Sequence, residues 1–126
     1  MTTMVQFQSR GALYCIPVEA TRAVRSAAGI IPMPDPNDDV AGLLPGDPPI
    51  TVVSPFGSAG QHVLVLQVGV LMCGLLVDAV TGLCRVDDAA IMAAPVGQRR
   101  GLVSGSLNID GDLVLVADPM ALAVAV

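Results

Sequence analysis

Lysine and tryptophan are absent from this 126-residue chain, and its aromatic residues amount to two Phe and one Tyr. A core without large rings has to be assembled from Val, Leu, Ile and Ala, which suits small interiors filled by inward side chains of a few strands. Charge is also scarce: 13% of residues are charged, against roughly 25% in ordinary soluble domains. Six Arg against eleven acidic residues leave a net charge of −5. That balance excludes a nucleic-acid partner, because a phosphate backbone demands clustered Lys or Arg. Low charge together with 53% hydrophobic residues also excludes intrinsic disorder, which needs the opposite composition.

A membrane-spanning run is missing too. The most apolar stretch, Val63 to Val77 (VLVLQVGVLMCGLLV), ends at Asp78, and a spanning helix needs about 20 residues. Gln67, Gly69, Gly74 and many β-branched residues interrupt it. Two consecutive strands, each covered on both faces, explain such a run without a membrane. The N-terminus MTTMVQFQSR shows no basic region followed by an apolar one, so no signal peptide is expected. The expected compartment is the cytoplasm, with no direct membrane insertion.

Chemistry-bearing motifs are equally sparse. Cys15, Cys73 and Cys84 are odd in number, lack CxxC spacing and lie in apolar segments. They read as small buried hydrophobes in a reducing compartment, and neither a zinc site nor a catalytic thiol is expected. His62 is the sole histidine and reads as an exposed loop residue. A catalytic barrel using His62 and an Asp has no motif behind it. The acidic pairs Asp38-Asp39, Asp87-Asp88 and Asp110/Asp112 sit in turn-like segments, where Asp bonds to nearby backbone. Arg99-Arg100 reads as a solvated loop. No Gly-rich loop leads into a helix with Lys, so no phosphate cradle of the Walker type is expected. The expectation is a non-enzyme without metal or cofactor.

What the sequence does contain is the punctuation of short strands. Turn signals recur every eight to twelve residues, as in all-β folds. A hairpin is expected from Phe7-Gln8 through Ser9-Arg10-Gly11 into Ala12–Pro17. Another joins Leu102–Leu107 to Leu113–Ala117 through Asp110-Gly111, the pair favoured where both turn residues need φ > 0. Helical pattern is limited to two turns over Val18–Ser26 and about one over Asp118–Ala123, with Pro119 tolerable at the first helical position. Ile31–Asp39 (IPMPDPNDD) reads as an extended loop.

The chain also repeats itself. Gly42–Pro55 aligns without gaps on Gly105–Asp118 at an offset of 63, matching Leu44 to Leu107, Ile50 to Leu113 and Val52-Val53 to Leu115-Val116. At a slightly shorter offset, Ile16–Val24 aligns on Leu75–Leu83, with Glu19 on Asp78. Each half thus reads as an apolar strand ending in an acid, followed by a Gly-led hairpin. Two small barrels of about five strands are favoured, since closure removes exposed edges.

Read in order, these segments resemble the CheW family, the adaptors of bacterial chemotaxis arrays. The marks are ALYCIPVEATRAVR (12–25), PMPDPNDDVAGLL (32–44), VLMCGLLVDAVTGLCRV (70–86) and GSLNIDGDLVLVADPMAL (105–122). The resemblance implies one domain over 1–126, all-β, of two intertwined five-stranded barrels with one or two short helices, and a boundary between halves near 57–62. It implies a non-enzymatic scaffold linking chemoreceptor cytoplasmic tips to the regulatory domain of a CheA-type histidine kinase. By matched position, Ala23, Val24, Met72, Cys73 and Leu75 would line the receptor groove, and Leu44, Asp47 and Ile50 would face the kinase. Two departures stand out. Asp47 occupies the place of the Arg in the family's first hairpin, and Pro55-Phe56-Gly57 replaces its usual D-L-R. These departures leave a second reading, a diverged CheW-fold module that self-associates or binds another partner outside chemotaxis. The missing basic residues lead to the expectation that binding is mainly apolar.

Overall fold

The computed structural model describes residues 1–33, 39–57, 60–97 and 101–124. Asp38, Arg99 and Arg100 lie outside them. Ten strands form two five-stranded sheets. They are β1 (Thr2–Ser9), β2 (Ala12–Pro17), β3 (Thr21–Ser26), β4 (Val40–Leu44), β5 (Ile50–Val53), β6 (His62–Val68), β7 (Leu71–Val77), β8 (Ala79–Val86), β9 (Val103–Ile109) and β10 (Asp112–Ala117). One α-helix, α1 (Pro119–Val124), follows.

The order of the first sheet is β8-β1-β2-β10-β9, and that of the second β3-β6-β7-β5-β4. The two halves of the chain follow the same path. Each opens with a hairpin (β1–β2, β6–β7) in one sheet and then sends three strands into the other. The crossings fall at the 3₁₀ turn Val18–Ala20 and at Asp78, the places where an apolar strand meets an acid. The second hairpin of each half then adds to the first hairpin of the other through a parallel pairing, Val52 on Gly74 and Val114 on Leu13. The register breaks repeat as well. Arg22 is skipped between Thr21 and Ala23 in β3, as Thr81 is between Val80 and Gly82 in β8.

Edge strands of each sheet are linked by a returning segment. Ile31 bridges Leu43, and Met92 bridges Ser106. The return runs so close to the sheet that a Cβ at Gly42 would collide with the carbonyl oxygen of Ile31. At Gly105 it would lie 2.6 Å from the Ile91 Cγ2. This is why each hairpin is led by glycine.

Turn chemistry behaves as its residues require. Arg10 and Gly11 (φ 49° and 78°) and Asp110 and Gly111 (φ 53° and 87°) adopt positive φ, the pattern of type I′ hairpins. The Asn108 side-chain oxygen accepts the Gly111 N–H at 3.0 Å. Asp118 caps α1, its Oδ1 accepting the Met120 N–H at 3.0 Å, and Pro119 opens the helix. Asp87 accepts the Ala89 N–H, and Asp88 the Thr2 hydroxyl.

One expectation is corrected here. Val18–Ser26 forms no two-turn helix. It makes a single 3₁₀ turn and then strand β3, paired antiparallel with β6. The β-branched Thr21 and Val24 favour extended backbone, and pairing across the sheet decides the outcome, as tertiary context overrides weak local propensity.

Three apolar clusters fill the molecule. Met4, Cys15, Val86, Leu107, Val114 and Val116 lie inside the first sheet, and Leu44, Val52, Val63, Val65 and Leu76 inside the second. The largest lies between sheets and takes Val5, Phe7, Tyr14, Ile16, Leu64, Leu66, Cys73 and Leu75 among others. Along β6, Val63 and Val65 point to one cluster and Leu64 and Leu66 to the other, so both faces are covered. This accounts for the unbroken apolar run. All three aromatic rings stack in the between-sheet cluster, with Tyr14 at 5.3 Å from Phe7 and 4.3 Å from Phe56 between centroids.

Candidate functional site

The exposed faces of the two crossing strands, β3 and β8, frame a groove. Thr21, Arg22, Ala23 and Val24 line it from β3, and Val80, Gly82 and Leu83 from β8. Val18 lines it from the 3₁₀ turn, and Val5 and Leu64 form its floor. The volume is about 270 Å³, below the roughly 300–1,000 Å³ of small-molecule pockets. Val5 and Leu64 are buried, whereas Val24 is 50% and Leu83 66% exposed. An exposed Val and Leu facing each other over an apolar floor cost solvation unless something covers them.

The groove reflects the internal repeat. Val5 and Leu64, Thr21 and Val80, Ala23 and Gly82, and Val24 and Leu83 are equivalent pairs in the two halves, separated by one constant chain distance. Each half contributes an edge strand with the same register break, so the two β-bulges turn matching residues toward one cleft.

Ala23 and Val24 therefore sit in the groove. Three neighbours assigned with them by sequence do not. Cys73 and Leu75 are fully buried in the between-sheet core, because β7 is a central strand covered on both faces. Met72 is 39% exposed at the turn end of β7, opposite Gln67, outside the groove lining. On the other assigned surface, Leu44 is 1% exposed inside the second sheet. Ile50 is half-buried against the same cluster. Asp47 alone is fully on the surface, in the turn Pro45–Pro49 before β5. The prolines precede the strand and so remove no ladder donor from it. Leu83 and Val80 were legible in principle, since the repeat alignment lays them on Val24 and Thr21.

A second, larger cleft of about 550 Å³ continues from Val24 along Arg25, Ser26, Ala27, Ala28, Gly60, Gln61 and His62. Among the described residues that line it there is no carboxylate beside His62. Among the described residues no group of three His, Cys, Asp or Glu side chains could hold a metal ion. No described helix is long and apolar enough to cross a membrane. The thiols are chemically quiet. Burial pushes Cys15 up to about 12, with nearby Cys84 adding to the effect, and Cys73 up to about 11. Burial also raises Cys84. A thiol held this far above neutrality offers no thiolate nucleophile.

Asp78 is structural. Its Oδ2 accepts the Arg10 backbone N–H at 2.7 Å, and its own N–H donates to the Gln8 carbonyl at 2.9 Å. It ties the β1–β2 turn of the first sheet to the point where the chain leaves β7 of the second sheet and enters β8. The departure at Pro55-Phe56-Gly57 is also accounted for by packing. Phe56 stacks on Tyr14. Gly57 leaves room for the Arg10 side chain, which a Cβ there would meet at 2.8 Å.

Comparison with known proteins agrees with this architecture. Residues 46–126 match the family profile of the CheW-like domain. Among solved structures, the chain is similar to the scaffolding protein TtCheW from Thermoanaerobacter tengcongensis, with a TM-score of 0.82 and 19% identity. That match covers 93% of this chain and 84% of the other. No curated protein sequence matches significantly. The family consists of non-enzymatic scaffolds, and with the profile spanning well over half of its length this chain belongs to the CheW-like domain family.

Proposed function

We propose that the chain is a cytoplasmic adaptor that couples chemoreceptor tips to a CheA-type histidine kinase in a bacterial chemotaxis assembly. The observation that carries this reading is the β3–β8 groove, where Val24 and Leu83 stand exposed over Val5 and Leu64. Its apolar lining suits the apolar stripe of a helix, which docks through side chains at i, i+3, i+4 and i+7. A receptor tip would lie in this groove. The kinase regulatory domain would pack on the second sheet near the surface turn that carries Asp47, with Ile50 beside it.

A titration of a receptor-tip fragment against the full chain tests the groove. Leu83→Asp and Val24→Asp place a charge where the stripe would sit, at positions already exposed, and each should weaken binding about tenfold or more. Unchanged affinity in both variants rejects the reading. The alternative of a diverged module with another partner is favoured by one feature, the carboxylate of Asp47 where the family carries a guanidinium, since this inverts the local charge. A CheA regulatory domain that fails to bind wild type at tens of micromolar but binds Asp47→Arg would decide for that alternative.

A further inference from the structure

The groove is apolar in its floor but not at its margins. Strands β3 (TRAVRS) and β8 (AVTGLCRV) hold Arg22, Arg25 and Arg85 and no acidic residue, in a chain whose acids outnumber its arginines eleven to six. Arg22 lines the groove itself. Arg25 lines the adjoining cleft, which shares Val24 with it. Arg85 lies one step beyond Leu83 on the same face of β8, opposite Thr3 as Leu83 is opposite Val5.

These cations are not consumed by the fold. Arg22 donates its Nε–H to the Gln67 Oε1 at 2.8 Å, and its terminal nitrogens keep no partner among the described residues. Arg25 and Arg85 form no ion pair among them either. Gln67 is itself held by the Gly69 carbonyl, which accepts from its Nε2 at 3.1 Å, so Arg22 is aimed by a fixed amide. The acids nearest in sequence are Glu19, on the exposed turn before β3, and Asp87 and Asp88 beyond Arg85. Asp87 caps Ala89 and Asp88 accepts from Thr2, so both are engaged with their own backbone or neighbour.

We infer that the groove takes an amphipathic helix whose apolar stripe is flanked by carboxylates, and that Arg22, Arg25 and Arg85 select it by charge. This rests on the proposed use of the groove and names the chemistry of its occupant. Apolar burial supplies the affinity. The arginines reject basic or neutral flanks and speed encounter, which is how rim charges act. It adds a charged component to binding that composition alone suggested would be mainly apolar.

The test uses the full chain and three labelled helical peptides of about 20 residues with the same Leu stripe at i, i+3, i+4 and i+7. The stripe is flanked by Glu in one peptide, Gln in the second and Lys in the third. At about 20 mM salt the Glu peptide should bind best and the Lys peptide worst. The gap should narrow at about 500 mM, where the screening length falls to a few ångströms. Replacing Arg22, Arg25 or Arg85 by Gln should each reduce the preference for the Glu peptide by about two- to fivefold, whereas Arg10→Gln, away from the groove, should leave it intact. Equal binding of the Glu and Gln peptides, with both abolished by Leu83→Asp, overturns the charge selection and keeps the groove. Loss of preference through Arg10→Gln as much as through Arg22→Gln also overturns it. Binding of all peptides unaffected by Leu83→Asp overturns the groove itself.

Discussion

Cys15 and Gly74 occupy the same step of the β1–β2 and β6–β7 hairpins, one in each sheet. Around Cys15 the interior is finished with Met4 and Cys84, flexible or small sulfur side chains. Around Gly74 it is finished with β-branched residues. A Cβ at Gly74 would lie 2.7 Å from the Val63 Cγ1 and 3.1 Å from the Val52 Cγ2. Met4 corresponds to Val63, and Cys84 to Arg25, which is expelled to the surface. The same strand plan thus tolerates different packing, provided that the summed volume of each interior is kept. The pair also teaches where function departs from packing. The position that holds a half-buried thiol in β8 holds an exposed guanidinium in β3, beside the groove.

The sharpest way to break this symmetry is at its best-matched pair. Leu44→Ala and Leu107→Ala remove equivalent buried side chains, 1% and 4% exposed, and each should cost about 2–5 kcal/mol in urea-unfolding free energy. Were Leu44 a docking residue, its loss would weaken a partner and spare the fold. The opposite is expected, with both variants destabilised alike.

Gly74→Ala should destabilise by about 1–3 kcal/mol through overpacking against Val63 and Val52. Cys15→Ala should cost less, since it leaves a small gap among adaptable neighbours. Thermal melts of the two variants rank them, and equal loss would mean that the interiors are packed alike.

The ends of the two second hairpins differ as well. After β5 the chain continues into Pro55 and the stacked Phe56, while after β10 it enters α1, which buries Leu122 and Ala123. Asp118→Ala removes the cap of that helix and should cost about 1 kcal/mol, with no counterpart effect from Pro55→Ala beyond local packing.

The smallest difference is in titration. Cys15 is raised in the folded state from an ordinary 9.0 to about 12 and Cys73 to about 11. The unfolded chain therefore loses these protons first. Their contribution is fully present below about pH 9 and is lost as pH rises through 11 and 12, because the unfolded thiolates pull the equilibrium. At neutral pH, a thiol reagent should label the half-buried Cys84 first and leave Cys15 and Cys73 until unfolding, as mass spectrometry would show.

Much of this was legible along the chain. A turn that needs two positive φ angles selects Asp110-Gly111 locally, and a helix that starts at a proline selects Pro119 with Asp118 as its cap. The continuous apolar run predicts strands covered on both faces, and the repeat points to two sheets of similar plan. The site was legible only in half. Ala23 and Val24, expected in a groove, line one, whereas Cys73, Leu75 and Leu44, expected at surfaces, lie in cores. The reason is that a strand apolar on both faces carries no alternation to say which face meets another sheet and which meets solvent.

Sequence alone determined the aliphatic core, the strand class, the hairpin turns and the absence of any motif for catalysis, because each depends on composition or on contacts within a few residues. Tertiary structure decided that Val18–Ser26 crosses between sheets as a strand, since its partner β6 lies some forty residues on in the chain. It also decided that Leu83 and Val24 share one groove, with Arg22 in its lining and Arg25 and Arg85 further along the two strands that frame it. Those facts follow from the exchange of strands between two halves, a non-local pairing that no single stretch of residues encodes.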